Sequence, residues 1–399
     1  MRYHHNWLLL VCACGGPVTT EDRHIVTDSG GVRLVMNRAP VIDDSLLRLQ
    51  PEPVDTFGAA GGEPLLWVRG ARRLNDGTMV IGNAGFYEVL LYGTDGTLLR
   101  RAGGAGGGPG EFVGPSGLTN VWLLGGDTIG IWEHSRSRLS LFDAHGRYVD
   151  YLQLKQSARG FPMALGVLDG HRVVARHLTE RDPVRAGEWY RDSVRFVAYT
   201  EDGQDWSEMA RLPGYERIGY EYRGRLSMGA RPFARDPVSA VAGRRYYHGT
   251  GDAFAILVYE LTQLVMVITR PDGDRTLRPS DIDRHKREWL ARAPADAETR
   301  RDWQRVIDET PYPDDLPAIS RIIVATDDRI WVREYPRPGA TEVRWSVFSP
   351  EGRWEVDAVT PSALQVWEVG VQDAVGVWKD ENDVEQVGVF RFRTESSGP

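Results

Sequence analysis

The stretch that decides the fold runs from Gly103 to Leu118 and reads GGAGGGPGEFVGPSGL. Short apolar runs at 79–82, 88–92 and 98–102 precede it, and similar runs at 118–123, 128–133, 139–142 and 149–154 follow it. Turn signals such as Thr94-Asp95-Gly96 separate the runs, and Asp-Gly between apolar runs is a strong sign of a hairpin. A Gly- and Pro-rich connector between two antiparallel meanders is typical of a propeller chain that passes from one blade to the next.

Similar four-strand units recur along the rest of the chain. The first unit is predicted at 67–72, 79–82, 88–92 and 98–102, and the second is the set that follows the glycine-rich stretch. The other units are predicted at 162–167, 173–176, 193–200 and 206–212; at 237–241, 245–248, 253–259 and 264–269; at 319–325, 329–333, 343–349 and 354–359; and at 364–369, 374–379 and 386–393.

The sixth unit has one strand too few. A closed ring needs its last blade completed by a strand from the other terminus, because closure removes the exposed sheet edges. A lone apolar run at 32–37 is the candidate. The sequence therefore predicts an all-β fold over 32–395, a six-bladed propeller of four-stranded antiparallel blades whose last blade is closed by an N-terminal strand.

One segment, 279–316, interrupts the repeat of strands between the fourth and fifth predicted blades. Ser280 is the predicted N-cap, and helices are predicted at 284–293 and 297–308, separated by Pro294. We expect a helical hairpin over one propeller face, with its apolar residues packed downward: Trp289, Leu290, Trp303, Val306 and Ile307.

The glycine-rich stretch also carries a family resemblance. The pattern G-x-G-x-G-P-G-E-F-x-x-P-x-G-L over 104–118, with a later F-D-x-x-G at 142–146, resembles the NHL-type six-bladed propeller repeat of bacterial proteins. The resemblance covers about 50–395 and is strongest over 76–154. NHL-like amidating lyases use histidine-bound zinc, and gluconolactonase-like propellers use a Glu/Asn/Asp metal set. Neither set is matched residue by residue, although Glu133, Asn83 and Glu334 could mimic the second.

The first residues look like an export signal. Arg2 precedes an apolar run at 7–13, and Val11-Cys12-Ala13-Cys14-Gly15 resembles a bacterial lipobox. We therefore predict a signal segment at 1–14, lipidation of Cys14 and a flexible tether at 15–31. A plain cleaved signal peptide is the alternative. The expected location is the cell envelope, and Gly15, which is not aspartate, favours the outer membrane by resemblance to Gram-negative lipoproteins.

Composition narrows the function classes. The chain has 399 residues and a net charge of −8, and its arginines are scattered among carboxylates, so a nucleic-acid partner is not expected. Both cysteines lie in the first fourteen residues, which leaves none for a disulfide or a zinc site in the body. The expected partner is an envelope protein, a peptide or a small polar ligand.

The longer connections all belong to one face of the predicted ring, which makes that face the expected binding surface. They are 103–110, 177–192, 213–236 and the helical insertion. Alignment of the units on their first turns places five residues at one equivalent position, on the rim of this face: Asn83, Glu133, His177, Glu334 and Lys379. Alanine substitutions of Glu133, His177 and Glu334, as exposed rim residues, would weaken binding and change stability little.

Three further residues are candidates near the same face. His134 is, with His177, one of two histidines worth testing, and neither has metal-ligand spacing. Arg231 and Arg235 precede the fourth inner strand and could bind an anion, with structural ion pairing as the alternative.

No hydrolase or metalloprotease motif is present, so no catalytic residue and no cofactor are predicted. The predicted function is a ligand-binding, protein-binding or scaffold module. The alternative is a metal-dependent lactonase-like hydrolase or lyase that uses the propeller channel, the one interpretation that needs a divalent metal. Three or more carboxylate or histidine side chains converging in the channel would favour the alternative.

Overall fold

A computed structural model of the chain describes residues 23–58, 63–114, 117–156, 162–178, 184–294 and 296–396. Four short strands come first. They are β1 (His24–Ser29), β2 (Val32–Asn37), β3 (Ser45–Leu49) and β4 (Asp55–Phe57). Six groups of consecutive antiparallel strands, which we call units, follow.

The first three units contain thirteen strands. They are β5 (Val68–Arg73), β6 (Met79–Asn83), β7 (Glu88–Tyr92) and β8 (Leu98–Gly103); β9 (Asn120–Leu124), β10 (Thr128–Glu133), β11 (Arg138–Phe142) and β12 (Tyr148–Gln153); and β13 (Met163–Leu168), β14 (Arg172–Leu178), β15 (Trp189–Tyr199), β16 (Trp206–Tyr222) and β17 (Arg225–Ala230).

The last three units contain eleven strands. They are β18 (Val238–Ala242), β19 (Arg245–Gly249), β20 (Ala255–Glu260) and β21 (Gln263–Thr269); β22 (Ile319–Val324), β23 (Ile330–Glu334), β24 (Glu342–Phe348) and β25 (Trp354–Pro361); and β26 (Gln365–Val369), β27 (Asp373–Lys379) and β28 (Glu385–Ser396). Two helices, α1 (Pro279–Ala291) and α2 (Ala297–Glu309), lie between the fourth and fifth units.

The units follow one another around a ring. Each first strand contacts the first strand of the next unit, in the order β5, β9, β13, β18, β22, β26 and back to β5. The buried apolar residues of the described chain form a separate cluster between each pair of neighbouring units, including the sixth and the first. Sheets that pack face to face around a ring are the architecture of a β-propeller, and this chain has a propeller-type fold.

The ring is completed by strands other than the one predicted. β4 pairs with β28, and β3 lies between β25, to which it is parallel, and β28, to which it is antiparallel. The prediction that 32–37 fills this place is wrong. β2 instead adds to the fourth unit by parallel pairing with β21.

The reason for the position of β2 is a hairpin that the sequence analysis did not predict. β1 pairs with β2 across a turn at Gly30-Gly31, so the tether interpretation does not apply to 24–29. Val35 is buried in the cluster between the fourth and fifth units. The Asn37 amide donates to the carbonyl of Gly352 and accepts from the N–H of Trp354, which fixes the hairpin across those two units. Residues 1–22, including Cys14, lie outside the described residues.

The glycine-rich stretch seats one aromatic side chain. Phe112 is fully buried between the first and second units, and its backbone exchanges hydrogen bonds with Gly104 and Gly106. Gly103 has a φ of +92°, and a Cβ there would lie 2.5 Å from the Phe112 ring. The glycines are therefore needed for the close approach of the loop to this ring.

Two connections differ from the prediction in detail. The connector expected at 213–236 is largely a β-hairpin, because β16 continues to Tyr222 and turns at Arg223-Gly224, both with positive φ, into β17. The helices are present, but α1 begins at Pro279 and its N-cap is Arg278 rather than Ser280. The Asp281 carboxylate accepts from the N–H of Arg278, which stabilises this earlier start. Neither helix of the described chain has the length and apolarity to span a bilayer.

The structure predicts where closure is most sensitive. Phe57 of β4 is 5% exposed and lies edge-on to Tyr92 of the first unit, with ring centroids 5.8 Å apart. Phe57→Ala should lower the free energy of unfolding by about 3–5 kcal/mol, because it leaves a cavity between the sixth and first units. Phe86→Ala, at a side chain that is 46% exposed, should change it by less than about 0.5 kcal/mol. Urea unfolding of both variants tests this, and equal losses would contradict the role of β4.

Candidate functional site

The five residues predicted at one equivalent position do lie at corresponding places. Asn83, Glu133, Glu334 and Lys379 end β6, β10, β23 and β27, and His177 is the last residue but one of β14. The fourth unit contributes His248, the last residue but one of β19, which was not predicted. The residue that follows the predicted strand 245–248 is Gly249, which has no side chain to mark the position.

Three of the five predicted residues are buried and do not lie on an exposed rim. Asn83 and Glu133 are 0% exposed and His177 is 4% exposed. The Glu133 carboxylate accepts from Nε of Arg138 at 2.8 Å, from a second guanidinium nitrogen of Arg138 at 2.9 Å and from Oγ of Ser140 at 2.5 Å. Asn83 accepts from the N–H of Leu66. The premise of exposure is therefore wrong for Glu133 and His177, and Glu133→Ala would leave the Arg138 guanidinium and the Ser140 hydroxyl without this acceptor.

The buried histidines are held in the neutral form. Burial, and secondarily Arg195, lowers the pKa of His177 to about 4, and its Nε2 lies 2.9 Å from the Tyr199 hydroxyl. Burial, and secondarily Arg191, lowers the pKa of His248 to about 3, and its Nδ1 lies 2.9 Å from the Tyr246 hydroxyl. Burial also lowers the pKa of His134.

The two candidate arginines near the fourth inner strand both form an ion pair with a carboxylate of the protein. Arg231 and Arg235 both pair with Glu216, which is 1% exposed, at 3.2 and 2.9 Å. The Arg231 guanidinium also lies 4.1 Å from the Trp189 ring centroid. These contacts are the structural ion pairs that the sequence analysis gave as the alternative to anion binding.

Glu334 and Lys379 do reach solvent. The Lys379 side chain is 59% exposed and has only a 3.9 Å contact with Asp383. Glu334 pairs with Arg270 and lines a cleft of about 320 Å³ between the fourth unit, the fifth unit and the base of the helical insertion. Burial raises the pKa of Glu334, and Arg270 opposes this shift. The charged residues of this cleft are largely paired with one another, which leaves few groups free to bind a ligand.

A second cleft lies on the other side of the helices. Its volume is about 400 Å³, and its walls are the β16–β17 hairpin and the facing sides of α1 and α2. We call it the aromatic cleft. Its lining is mainly apolar: Ile218, Tyr220, Tyr222, Gly229, Ala230, Pro232, Trp289, Trp303, Val306, Ile307 and Thr310.

The walls of the aromatic cleft are held together at two places. The indole rings of Trp289 and Trp303 lie 5.0 Å apart and join α1 to α2. At the hairpin tip the Arg223 guanidinium donates to Oγ1 of Thr299 at 2.7 Å, which ties β16–β17 to α2. The cleft is therefore preformed, and it lies on the face predicted to bind a ligand.

A metal centre has no assembled ligand set in the described ranges. No three His, Cys, Asp or Glu side chains of those residues lie close enough together to bind one ion. Glu133, Asn83 and Glu334, the three residues compared with a lactonase-type metal set, are each engaged in the separate contacts given above.

Comparison with known proteins gives the fold alone. A scan against models of protein families found no match, and neither did a search of the curated proteins. Among solved structures, a member of the DUF4221 family from Bacteroides vulgatus is similar at a TM-score of 0.50 and 11% identity, over 89% of this chain and 99% of that one.

Two further solved structures are similar over most of the chain but score lower. A Bacteroides fragilis protein whose name describes it as exported has a TM-score of 0.47 at 11% identity, over 92% of this chain and 100% of that one. A gluconolactonase from Xanthomonas campestris has a TM-score of 0.44 at 12% identity, over 88% and 97%. At these values neither carries an argument about function.

The neutral histidines predict a pH dependence of stability. A folded pKa of about 4 for His177 and about 3 for His248 lies below the unfolded value near 6.5. The unfolded chain therefore binds more protons than the folded chain below pH 6.5. The free energy of unfolding consequently decreases as the pH is lowered, by up to about 1.4 kcal/mol per pH unit for each histidine. Urea unfolding between pH 7 and 5 should show this loss.

A matched pair of variants shows whether the pH dependence of stability comes from the buried histidines or from carboxylates. His248→Asn should flatten the profile between pH 6.5 and 5, whereas His145→Asn, in an exposed turn, should leave it unchanged. The same slope in wild type and His248→Asn would show that His248 is not the source.

Proposed function

We propose that the chain is a six-bladed propeller of the cell envelope that binds an extended segment of a partner polypeptide in the aromatic cleft. The blade count rests on the cyclic contacts of the six first strands. In this proposal β4 supplies the fourth strand of the last blade and β1–β2 extend the fourth blade outward. The observation that carries the binding function is the aromatic cleft beside an unpaired strand edge.

The strand edge is the outer edge of β17. This strand ends its sheet, so no other strand of the described chain pairs with that side. Tyr222 and Arg225 face each other across the two-residue turn. In a hairpin of this kind the flanking pair is the hydrogen-bonded one, and such pairs alternate along an antiparallel ladder. The N–H and C=O groups of Leu226 and Met228 consequently point away from β16. Their side chains are 62% and 42% exposed.

Side chains of the hairpin supply the specificity. Ile218, Tyr220 and Tyr222 alternate along β16 and face the helices, over a length of about 13 Å at 3.3 Å per residue. A strand added to an edge obtains affinity from main-chain hydrogen bonds and specificity from pockets for its alternate side chains. The cleft and the β17 edge provide both, which favours an extended peptide with apolar or aromatic side chains at alternate positions.

A small apolar molecule would use only half of this arrangement. The cleft volume suits such a ligand, but a small molecule gains nothing from an unpaired strand edge. An exposed apolar edge is a liability that proteins usually protect with charge, proline or cover, and β17 has only Arg225 as protection. Pairing with a partner strand removes this liability.

The peptide proposal is tested by panning a phage library of random eight-residue peptides against the purified protein and measuring the Kd of the best binder. Met228→Pro removes one outward N–H without breaking a bond to β16, and it should weaken binding at least tenfold, about 1.4 kcal/mol. Tyr220→Ala should do the same by enlarging the cleft. Met228→Ala, which keeps the N–H, is the control and should bind nearly as wild type.

Three results would contradict this proposal. They are failure to select any peptide, full binding by Met228→Pro, and binding of an apolar dye in the cleft of a protein that binds no peptide. The last result would identify the cleft as a small-molecule site.

The envelope location is tested through Cys14. If this residue carries the lipid, Cys14→Ser should move the protein from the membrane fraction to the soluble fraction, and Cys12→Ser should not. Equal membrane retention of the Cys14→Ser variant would rule out a lipid anchor at this position. The outer membrane is the proposed site, and separation of inner and outer membranes by density would show it.

A further inference from the structure

An unusual group of arginines lies between the fifth and sixth units. Arg321 of β22 and Arg333 of β23 are direct cross-strand neighbours, so both guanidiniums extend from the same face of the sheet. They line a pocket of about 250 Å³ whose opposite side is the connection into β26. Both side chains are partly exposed.

Neither guanidinium forms an ion pair with a carboxylate of the described residues. Within the described ranges, no carboxylate lies within 4.0 Å of Arg321 or Arg333, and neither side chain makes a hydrogen bond to the protein. The Arg321 guanidinium lies over the Trp367 ring, whose centroid is 5.0 Å away. Stacking on an indole satisfies none of the five N–H donors of a guanidinium.

Arg72 of β5 adds a third positive charge. Its charge, together with that of Arg333, acts on Arg321, and burial with this repulsion lowers the pKa of Arg321 to about 10. Burial also lowers the pKa values of Arg72 and Arg333, and the charge of the Glu368 carboxylate opposes the shift at Arg72. Guanidinium groups are not deprotonated in proteins at neutral pH, so all three residues carry a positive charge.

Arg73, the next residue of β5, differs from Arg72 because it is paired with carboxylates. Arg73 donates to Glu368 at 2.8 Å and to Asp373 at 2.9 and 2.6 Å. Arg72 makes no such contact within the described chain. Bringing three like charges together in a partly desolvated region is unfavourable unless a counter-charge is present.

We propose that the pocket lined by Arg321 and Arg333 binds the oxyanion group, a carboxylate or a phosphate, of a small molecule. Guanidinium groups bind such groups through paired N–H···O bonds, and two adjacent guanidiniums can bind both sides of one oxyanion. The rest of the lining suits the remainder of the ligand, with Trp345 and Leu364 as apolar wall and Ser362 as a polar group.

The pocket size limits the ligand. At the roughly 30 Å³ that a liquid water molecule occupies, the pocket has room for roughly eight water-sized groups. A monocarboxylate with a small ring or a phosphate monoester of a short polyol fits this limit. The site shares no lining residue with the aromatic cleft, so the oxyanion proposal does not depend on the peptide proposal.

Calorimetry and thermal unfolding test the proposal with sodium phosphate, sodium sulfate and sodium benzoate, each compared with sodium chloride at equal ionic strength. At least one oxyanion should raise the Tm of the wild-type protein above its value in chloride. Stronger binding of benzoate than of phosphate would identify the group as a carboxylate, and the reverse order would identify it as a phosphate.

Variants separate a binding site from a structural one. Arg333→Gln and Arg321→Gln should each weaken oxyanion binding at least tenfold, and each should melt at or above the wild-type temperature in chloride because a repulsive charge is gone. Arg73→Gln, the matched control, should melt lower and keep oxyanion binding.

The proposal is overturned if no oxyanion differs from chloride, if both glutamine variants bind as tightly as wild type, or if Arg73→Gln abolishes binding equally. A fall in the Tm of both Arg321→Gln and Arg333→Gln in chloride would also overturn it, since that result assigns the two arginines to structure.

Discussion

Pairing between the two ends of the chain is the interaction on which this fold depends. β28 is paired on one side with β27 and on the other with β3 and β4, so the C-terminal strand is held by strands from the first sixty residues. β3 also pairs with β25, which joins the fifth and sixth units into one hydrogen-bonded sheet. Each gap between units is filled by apolar residues from both sides. Opening the ring at β4 would therefore expose the facing core residues of the sixth and first units.

The regular part of this fold could be predicted from local sequence. Asp-Gly and related turns between apolar runs place the strands of all six units close to where they lie, because such turns are determined by a few neighbouring residues. The short strands β3 and β4 carry no such signal, and their partners are more than three hundred residues away. The same limit explains why Val32–Asn37 was assigned to the wrong unit, since any apolar strand satisfies the pattern and only tertiary packing of Val35 and Asn37 selects the fourth.

The candidate site was less predictable because burial is a tertiary property. Alignment of the units brought Asn83, Glu133 and His177 to corresponding positions, but it could not show that Glu133 lies against Arg138 and Ser140 in the interior. The aromatic cleft needed the length of β16, which the sequence analysis ended at 212. The unpaired state of Arg321 and Arg333 could not be predicted for another reason. A charged residue inside a predicted strand looks the same in sequence whether or not a carboxylate lies opposite.

The N-terminal position of β1 to β4 also has a consequence for the order of folding. Thr56 pairs with Gly388, so β4 lacks this partner strand until residue 388 has emerged from the ribosome or from a translocation pore. Contacts between residues so far apart in sequence form slowly, and exposed apolar segments promote aggregation in the meantime. The units can assemble one after another as they emerge, but β4 can pair only after β28 has been synthesised. Closure of the ring is therefore a late step that joins segments more than three hundred residues apart.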